Sequence, residues 1–229
     1  MPNFQGLNHM KIEKITGQNI KNLIQKTITA LKKGETIMHA TETCYGFACD
    51  ALNKKAISHL YRIKKMDAKK PSSIMVANLA QAQKYGELNA LAKKLAKKYW
   101  PGPLTIIVPR KTSLPKFLNP NSKTIGIRCP ADELTQKILR AYKLPLITTS
   151  ANISGQKESY SIDAFLKSAP KNSLLPDLIL DSNRIPKRKP STVISIEKNQ
   201  IKILRSGSMN IRSIIKLSRL TMNPLKSRP

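Results

Sequence analysis

Five polar stretches stand at the ends of apolar runs in this chain. They are Thr41-Glu42-Thr43, Thr124 to Arg128 (TIGIR), 148–155 (TTSANISG), Pro190-Ser191-Thr192 and 204–207 (LRSG). In α/β proteins the loops that follow strands tend to hold ligands. Hydroxyls, an amide and two arginines at strand ends suit an anionic ligand that carries several hydrogen-bond acceptors. Thr124 and Arg128 are four apart and Ser150 and Asn152 two apart, so each pair shares one face of an extended strand. Each stretch alone is an ordinary turn; five on one chain are harder to dismiss. Cys44 follows the first stretch. As a thiol it is a possible nucleophile, but a small packing residue is the stronger reading.

The elements that must position these stretches are legible from periodicity. NIKNLIQKTITALKKG puts Ile20, Leu23, Ile24, Ile28 and Leu31 on one helical face, and Gly34 ends it. TIMHA reads as a strand, KKAISHLYRIKKM as a basic amphipathic helix, SSIMVA as a short strand and ALAKKLAKKYW as a helix. LTIIVPR, TIGIRCP and LPLITTS read as buried strands, with a helix, DELTQKILRAYK, between the last two. SIDAFLKSA is a helix capped by Ser161, and LLPDLILDS is a strand. STVISIEKNQIKILRSG is a hairpin with a polar turn; NIRSIIKLSRL is a final helix and TMNPLKSRP a tail. NRIPKRKP, at 183–190, is the most basic loop. Alternating strands and helices define an α/β fold, and the hairpin makes its sheet a mixed parallel/antiparallel one.

The chain has 229 residues and 40% hydrophobic composition, enough for one sizeable core. Its 41 Lys and Arg against 13 Asp and Glu give +28. Such a field draws polyanions such as RNA, or phosphorylated substrates, unless the lysines are only solvated faces. Aromatic content of 5% argues against single-strand recognition by base stacking. Three cysteines without a CxxC pair indicate neither a disulfide framework nor a zinc site. His9, His39 and His59 are scattered, so no metal site is expected. No GxxxxGK[ST], GxGxxG or HExxH is present. No apolar run is long enough for a bilayer and the first residues have no signal-peptide core, so the expectation is a soluble cytoplasmic protein without membrane contact.

TIMHATETCYGFACD, LYRIKKMDAKKPSSIMV, WPGPLTIIV, TIGIRCP, LITTSANISG, PSTVISI and ILRSGS occur in this order. Together they resemble the YrdC-like family, over roughly residues 18 to 208. The resemblance implies a twisted mixed sheet with flanking helices and a deep, positively lined concave site. It divides the chain into an N-terminal segment, 1–17, a catalytic domain, 18–208, and a C-terminal helix and tail, 209–229. The implied reaction joins L-threonine, bicarbonate and ATP into threonylcarbamoyl-AMP and pyrophosphate. The product would serve downstream proteins that modify an adenosine of tRNA, with Mg²⁺ arriving on the ATP phosphates.

Carried over residue by residue, the resemblance assigns Thr41, Arg128, Thr148 and Ser191 to threonine, with Arg128 on its carboxylate. It assigns Lys64, Thr124, Ser150, Asn152 and Arg205 to ATP, with Lys64 and Arg128 as the catalytic cations. Adenylyl transfer needs in-line placement and positive charge more than covalent help, which these residue types supply. Glu42 is expected to accept a backbone or lysine donor and hold its loop. The chain departs from the family where Lys64-Lys65-Met66 stands for lysine-x-arginine: a thioether does not replace a planar guanidinium. Lys65, Lys69 or Lys70 could restore the charge but not its geometry. His39-Ala40 likewise replaces the more usual tyrosine-proline. Two other readings follow: a non-catalytic paralogue that binds tRNA or double-stranded RNA by shape and phosphate contacts, and a ligase for another amino acid or carbamoyl donor.

Overall fold

Alternation along the strands decides how each face of the sheet is used. The computed structural model describes residues 10–67, 70–197 and 200–222. Its strands are β1 (Lys11–Lys14), β2 (Ile37–Ala40), β3 (Tyr45–Asp50), β4 (Ser73–Met75), β5 (Leu104–Pro109), β6 (Thr124–Arg128), β7 (Leu146–Ser150), β8 (Leu178–Asp181), β9 (Thr192–Glu197) and β10 (Gln200–Arg205). Its helices are α1 (Ile20–Lys32), α2 (Lys54–Lys64), α3 (Leu79–Tyr85), α4 (Ala90–Tyr99), α5 (Glu133–Tyr142), α6 (Ile162–Ser168) and α7 (Ile211–Met222). The strands form one sheet in the order β1-β8-β2-β3-β7-β4-β6-β5-β9-β10. Pairings β1–β8, β8–β2, β4–β6 and β5–β9 are parallel and the others antiparallel.

One face is apolar from edge to edge. Phe47, Ile147, Ile74, Ile127, Ile106 and Ile194, one from each central strand, are fully buried there against α2, α4 and α6. Phe47 meets Phe165 of α6 edge-to-face, with ring centroids 5.2 Å apart. The other face is covered over one part only. There Leu23 and Leu31 of α1 and Ile138 and Leu139 of α5 pack on Ile37, Ala48, Met75 and Leu146. The rest of that face carries small or polar residues, Gly46, Ser73, Thr105, Gly126, Thr148 and Ser150. This bare area becomes the site.

The helices that frame the site begin at side-chain caps. Asn53 accepts from Ala56 N–H at α2, and Asp132 from Thr135 N–H at α5. Ser161 accepts from Ala164 N–H at α6, the cap expected from sequence.

Three features go beyond the sequence reading. TIMHA is followed by a second strand, so 37–50 is an antiparallel hairpin with the first polar stretch as its turn. Gly46 and Ala48, small residues on the second face of YGFACD, hide its strand pattern. β1, inside the segment set apart as 1–17, pairs with β8 in the same sheet. α7 packs against α4 and β10, with Ile214 fully buried. The β9–β10 hairpin forms as expected; Lys198 and Asn199 of its turn lie outside the described residues, as do 223–229 of the tail.

Candidate active site

A cavity of about 230 Å³ opens on the bare area of the sheet. Four directly paired residues, Arg128, Thr105, Val193 and Arg205, run across β6, β5, β9 and β10 and line it as one row. Neighbouring strands lie about 4.8 Å apart, so the two arginines stand on opposite sides of the row. Thr148 and Ser73, paired with each other, add hydroxyls beside the row.

Arg205 reaches this face through a bulge. Ile203 pairs with Ile194, and the next pair is Arg205 with Val193, leaving Leu204 as the extra residue, half exposed. Ile203 packs on the apolar face, and regular alternation would send Arg205 there too. The shift turns it onto the cavity. Its Nε donates to Ser191 O at 3.0 Å and its Nη2 to Ser191 Oγ at 2.8 Å. Ser191 Oγ also lies 3.1 Å from Thr105 Oγ1. Burial and the charge of Arg128 lower the Arg205 pKa, and Glu158 opposes them.

The turn between β2 and β3 is closed by Thr41. Its hydroxyl donates to Cys44 O at 2.8 Å and accepts from the Thr43 and Cys44 amides at 3.2 and 3.3 Å. Thr43 Oγ1 then stands 3.4–3.5 Å from the Arg128 guanidinium. Arg128 also meets Glu42, Nη2 to Oε1, at 2.6 Å. That contact is off the hydrogen-bonding line, so both Glu42 carboxylate oxygens and Arg128 Nε remain buried without a hydrogen-bond partner. The expected backbone or lysine donor to Glu42 is therefore replaced by Arg128.

Lys64 lies beneath the cavity wall rather than on it. It is the last residue of α2, where the carbonyl end of the helix favours a cation. Its Nζ donates to Ser150 O and Asn152 Oδ1 at 2.6 Å each and to Asn152 O at 3.2 Å. Ser150 Oγ in turn donates to Asn152 Oδ1 at 2.7 Å. Burial lowers the Lys64 pKa to about 8, against the raising effect of Cys44 and Glu158. Lys64 thus ties α2 to the turn after β7.

Of the residues singled out from sequence, the cavity brings together Thr41, Arg128, Thr148, Ser150, Ser191 and Arg205. Lys64 and Asn152 are buried behind Ser150 and shape the wall indirectly. Thr124 is exposed at the opposite end of β6 from Arg128, bonded to Ser122, and is not on the cavity wall. Met66 is on the wall, where the family resemblance leads one to expect an arginine. Lys65 and Lys70 are exposed and not on the wall, and Lys69 lies outside the described residues. Burial raises the Cys44 pKa, so its thiol is an inert wall residue. Thr43, of the first polar stretch, is on the wall as well; sequence reading missed Ser73, Thr105 and Glu158. Thr105, alone polar in an apolar strand, was a signal; Glu158, in a loop, had none. Among the described residues no group of three or more His, Cys, Asp or Glu is placed to hold a metal, and no helix is long and apolar enough to cross a membrane.

A single mixed sheet with helices on one face and a hydroxyl- and guanidinium-lined pocket on the other defines an α/β protein whose pocket presents hydrogen-bond donors. The chain belongs to the Sua5/YciO/YrdC family, described as telomere recombination, whose profile matches residues 29–207. It is 34% identical over 205 residues to a Methanocaldococcus jannaschii protein, covering 90% of this chain and 95% of that one. A Mus musculus relative named threonylcarbamoyl-AMP synthase is 31% identical over 187 residues, 80% of this chain. The crystal structure of Pyrococcus abyssi Sua5 complexed with L-threonine superposes with a TM-score of 0.79 at 26% identity over 91% of this chain. The chain spans 66% of the mouse relative and 60% of the P. abyssi one.

Proposed function

We propose that the protein is an L-threonylcarbamoyladenylate synthase. It would make threonylcarbamoyl-AMP and pyrophosphate from L-threonine, bicarbonate and ATP. The observation that carries the reading is Arg128: a buried guanidinium on a cavity wall, its Nε without a partner, beside Thr41, Thr43 and Thr148. An amino-acid carboxylate answers that geometry with two oxygens, and the hydroxyls suit the rest of a small polar substrate. Arg205 and Ser191, on the other side of the same cavity, suit phosphate oxygens. Ser150, held in place by Lys64 and Asn152, would meet the nucleotide. In this reading Lys64 acts by shaping the wall, and Arg128 and Arg205 supply the charge that stabilises adenylyl transfer. Mg²⁺ enters as part of the ATP substrate.

The product is an activated acyl group for downstream proteins that modify tRNA adenosine, and a chain of charge +28 suits work beside tRNA in the cytoplasm. Met66 favours a second reading, a paralogue that keeps the fold and binds tRNA or double-stranded RNA without chemistry. The test is pyrophosphate release from ATP with Mg²⁺ and bicarbonate, with and without L-threonine, by the natural protein and Met66→Arg. Threonine-dependent release by the natural protein is expected, and the variant raises it. Release by the variant alone means a lapsed synthase, and silence from both favours the RNA-binding reading.

A further inference from the structure

Among the described residues that line the cavity, three are charged: Arg128, Arg205 and Glu158. Both arginines have protein partners, Arg128 in Glu42 and Arg205 in Ser191. The half-buried Glu158 carboxylate makes no hydrogen bond or ion pair among the described residues. Its backbone, by contrast, is fixed. Glu158 belongs to the segment after β7, which is tied down at both ends. At the near end Lys64 Nζ donates to Asn152 Oδ1 at 2.6 Å, Ser154 N–H donates to Lys64 O at 2.8 Å, and Asn152 Nδ2 donates to Gln156 O. At the far end Tyr45 N–H donates to Ser159 O at 3.0 Å, and Ser159 is buried.

That far anchor sets Glu158 beside the turn that meets Arg128. Tyr45 follows Cys44, and Thr43, one residue earlier, places its hydroxyl 3.4–3.5 Å from the Arg128 guanidinium. Thr43, Cys44 and Glu158 all face the cavity. The negative charge of Glu158 reaches Cys44, where it adds to burial in raising the thiol pKa. A carboxylate accepts and cannot donate, so an unpartnered one on a cavity wall calls for a cation or an N–H group. Phosphate oxygens are repelled by it. Threonine, bound as a zwitterion, brings an ammonium on the same carbon as its carboxylate. With that carboxylate on Arg128, the ammonium turns toward the adjoining wall.

We propose that Glu158 holds the α-ammonium of the substrate and makes the site select an amino acid over a carboxylic acid of the same shape. Arg128 and Glu158 are then the two ends of a clamp for a zwitterion, one on β6 and one on the segment after β7. The clamp also sets direction. An N–H kept on Glu158 leaves the nitrogen lone pair aimed away from the wall and into the cavity, where bicarbonate has to stand. Because the carboxylate has no protein partner to give up, the substrate displaces only water from it.

This inference rests on the synthase reading, and the test separates the two. Calorimetry measures the binding of L-threonine and of (R)-3-hydroxybutyrate, which is L-threonine without its amine, to the natural protein, Glu158→Gln and Glu158→Ala. Both variants should lose about 10- to 100-fold in threonine affinity, the usual worth of a hydrogen bond to a charged group. Their affinity for the analogue should stay level or rise, so the preference for the amine collapses. The threonine KM in the pyrophosphate assay should rise by the same factor. Affinity for ATP with Mg²⁺ and the melting temperature should hold, since no bond within the protein is lost. Unchanged threonine affinity in the variants overturns the inference and spares the synthase reading. Equal losses for threonine and the analogue would make Glu158 a shaping residue and overturn it too. A loss confined to ATP, and only with Mg²⁺ present, would make Glu158 a partner of the metal on the phosphates, again overturning it. No threonine binding by the natural protein overturns both readings.

Discussion

Replacing Lys64 by methionine separates its two duties, holding the wall and carrying charge. The side chain keeps its length and loses its three donors. Ser150 O retains the Asn152 amide at 3.0 Å, and Asn152 Oδ1 retains Ser150 Oγ at 2.7 Å. Only Asn152 O, 3.2 Å from Nζ, is stripped of the partner described above. A buried carbonyl left unpaired costs about 1–3 kcal/mol, and the relief of no longer burying an ammonium offsets part of that. The net cost is about 1–2 kcal/mol, or about 2–8 °C in melting temperature for a chain of this size. Catalysis should suffer more, because the turn after β7 keeps only the backbone bond from Ser154 N–H to Lys64 O, 2.8 Å, as its tie to α2, and a 1 Å displacement at a reacting centre costs about 10²-fold. Lys64→Arg should not rescue it, since a planar fork does not fit three acceptors gathered around one nitrogen. Differential scanning fluorimetry beside the pyrophosphate assay reads both quantities. A large fall in melting temperature, or a kcat near the natural value, would refute this account of Lys64.

Two further outcomes follow from the same geometry. Threonine-dependent activity should fall as pH rises through about 8, where Lys64 loses its proton. The folded protein gives up that proton before the unfolded chain, whose lysine titrates near the ordinary 10.5, so between these values Lys64 makes stability rise with pH; activity lost while the melting temperature also falls would implicate another group. Gly126→Ala would place a methyl 2.4 Å from Ser73 Oγ, 3.2 Å from Ser73 Cβ, which must yield by a few tenths of an ångström, and 3.3 Å from Thr105 Cγ2 at the cavity floor. Ser73 can rotate away, so the stability cost should be about 1 kcal/mol, while threonine or ATP affinity, read by calorimetry, should drop about tenfold or more; unchanged affinity for both would remove this floor from the binding site.

How far the sequence could be read depended on whether local pattern carried the answer. The helices and most central strands were legible because burial imposes a period of 3.6 or 2 on apolar residues. β3 was not, since its second face, made of the small residues Gly46 and Ala48, looks like loop. Arg128, Ser150 and Ser191 were legible as residues of the cavity wall because each ends or begins a strand beside other polar residues. Thr124 passed the same parity test and failed on position: i and i+4 share a face, but they stand at opposite ends of a five-residue strand. Glu42 was misread because its partner, Arg128, is 86 residues away in the chain and adjacent only in the fold.

Arg205 shows most sharply why parity is not enough. Ile201, Ile203 and Arg205 alternate without a break in sequence, and alternation assigns all three to the apolar face. Its place at a polar strand end drew attention to Arg205 and resemblance assigned it to ATP, but no local pattern turned it onto the other face. The bulge at Leu204 reverses parity for the last residue alone. It is anchored by the chain that follows: Gly207 N–H and Met209 N–H both donate to Thr192 Oγ1 at 3.2 Å, and Ser208 N–H donates to Pro190 O at 2.9 Å. A Cβ on Gly207 would stand 2.2 Å from Pro190 O, so only glycine lets the strand end close against the start of β9. The glycine of LRSGS therefore determines which way the arginine two residues before it points, and with it the charge of the far side of the cavity.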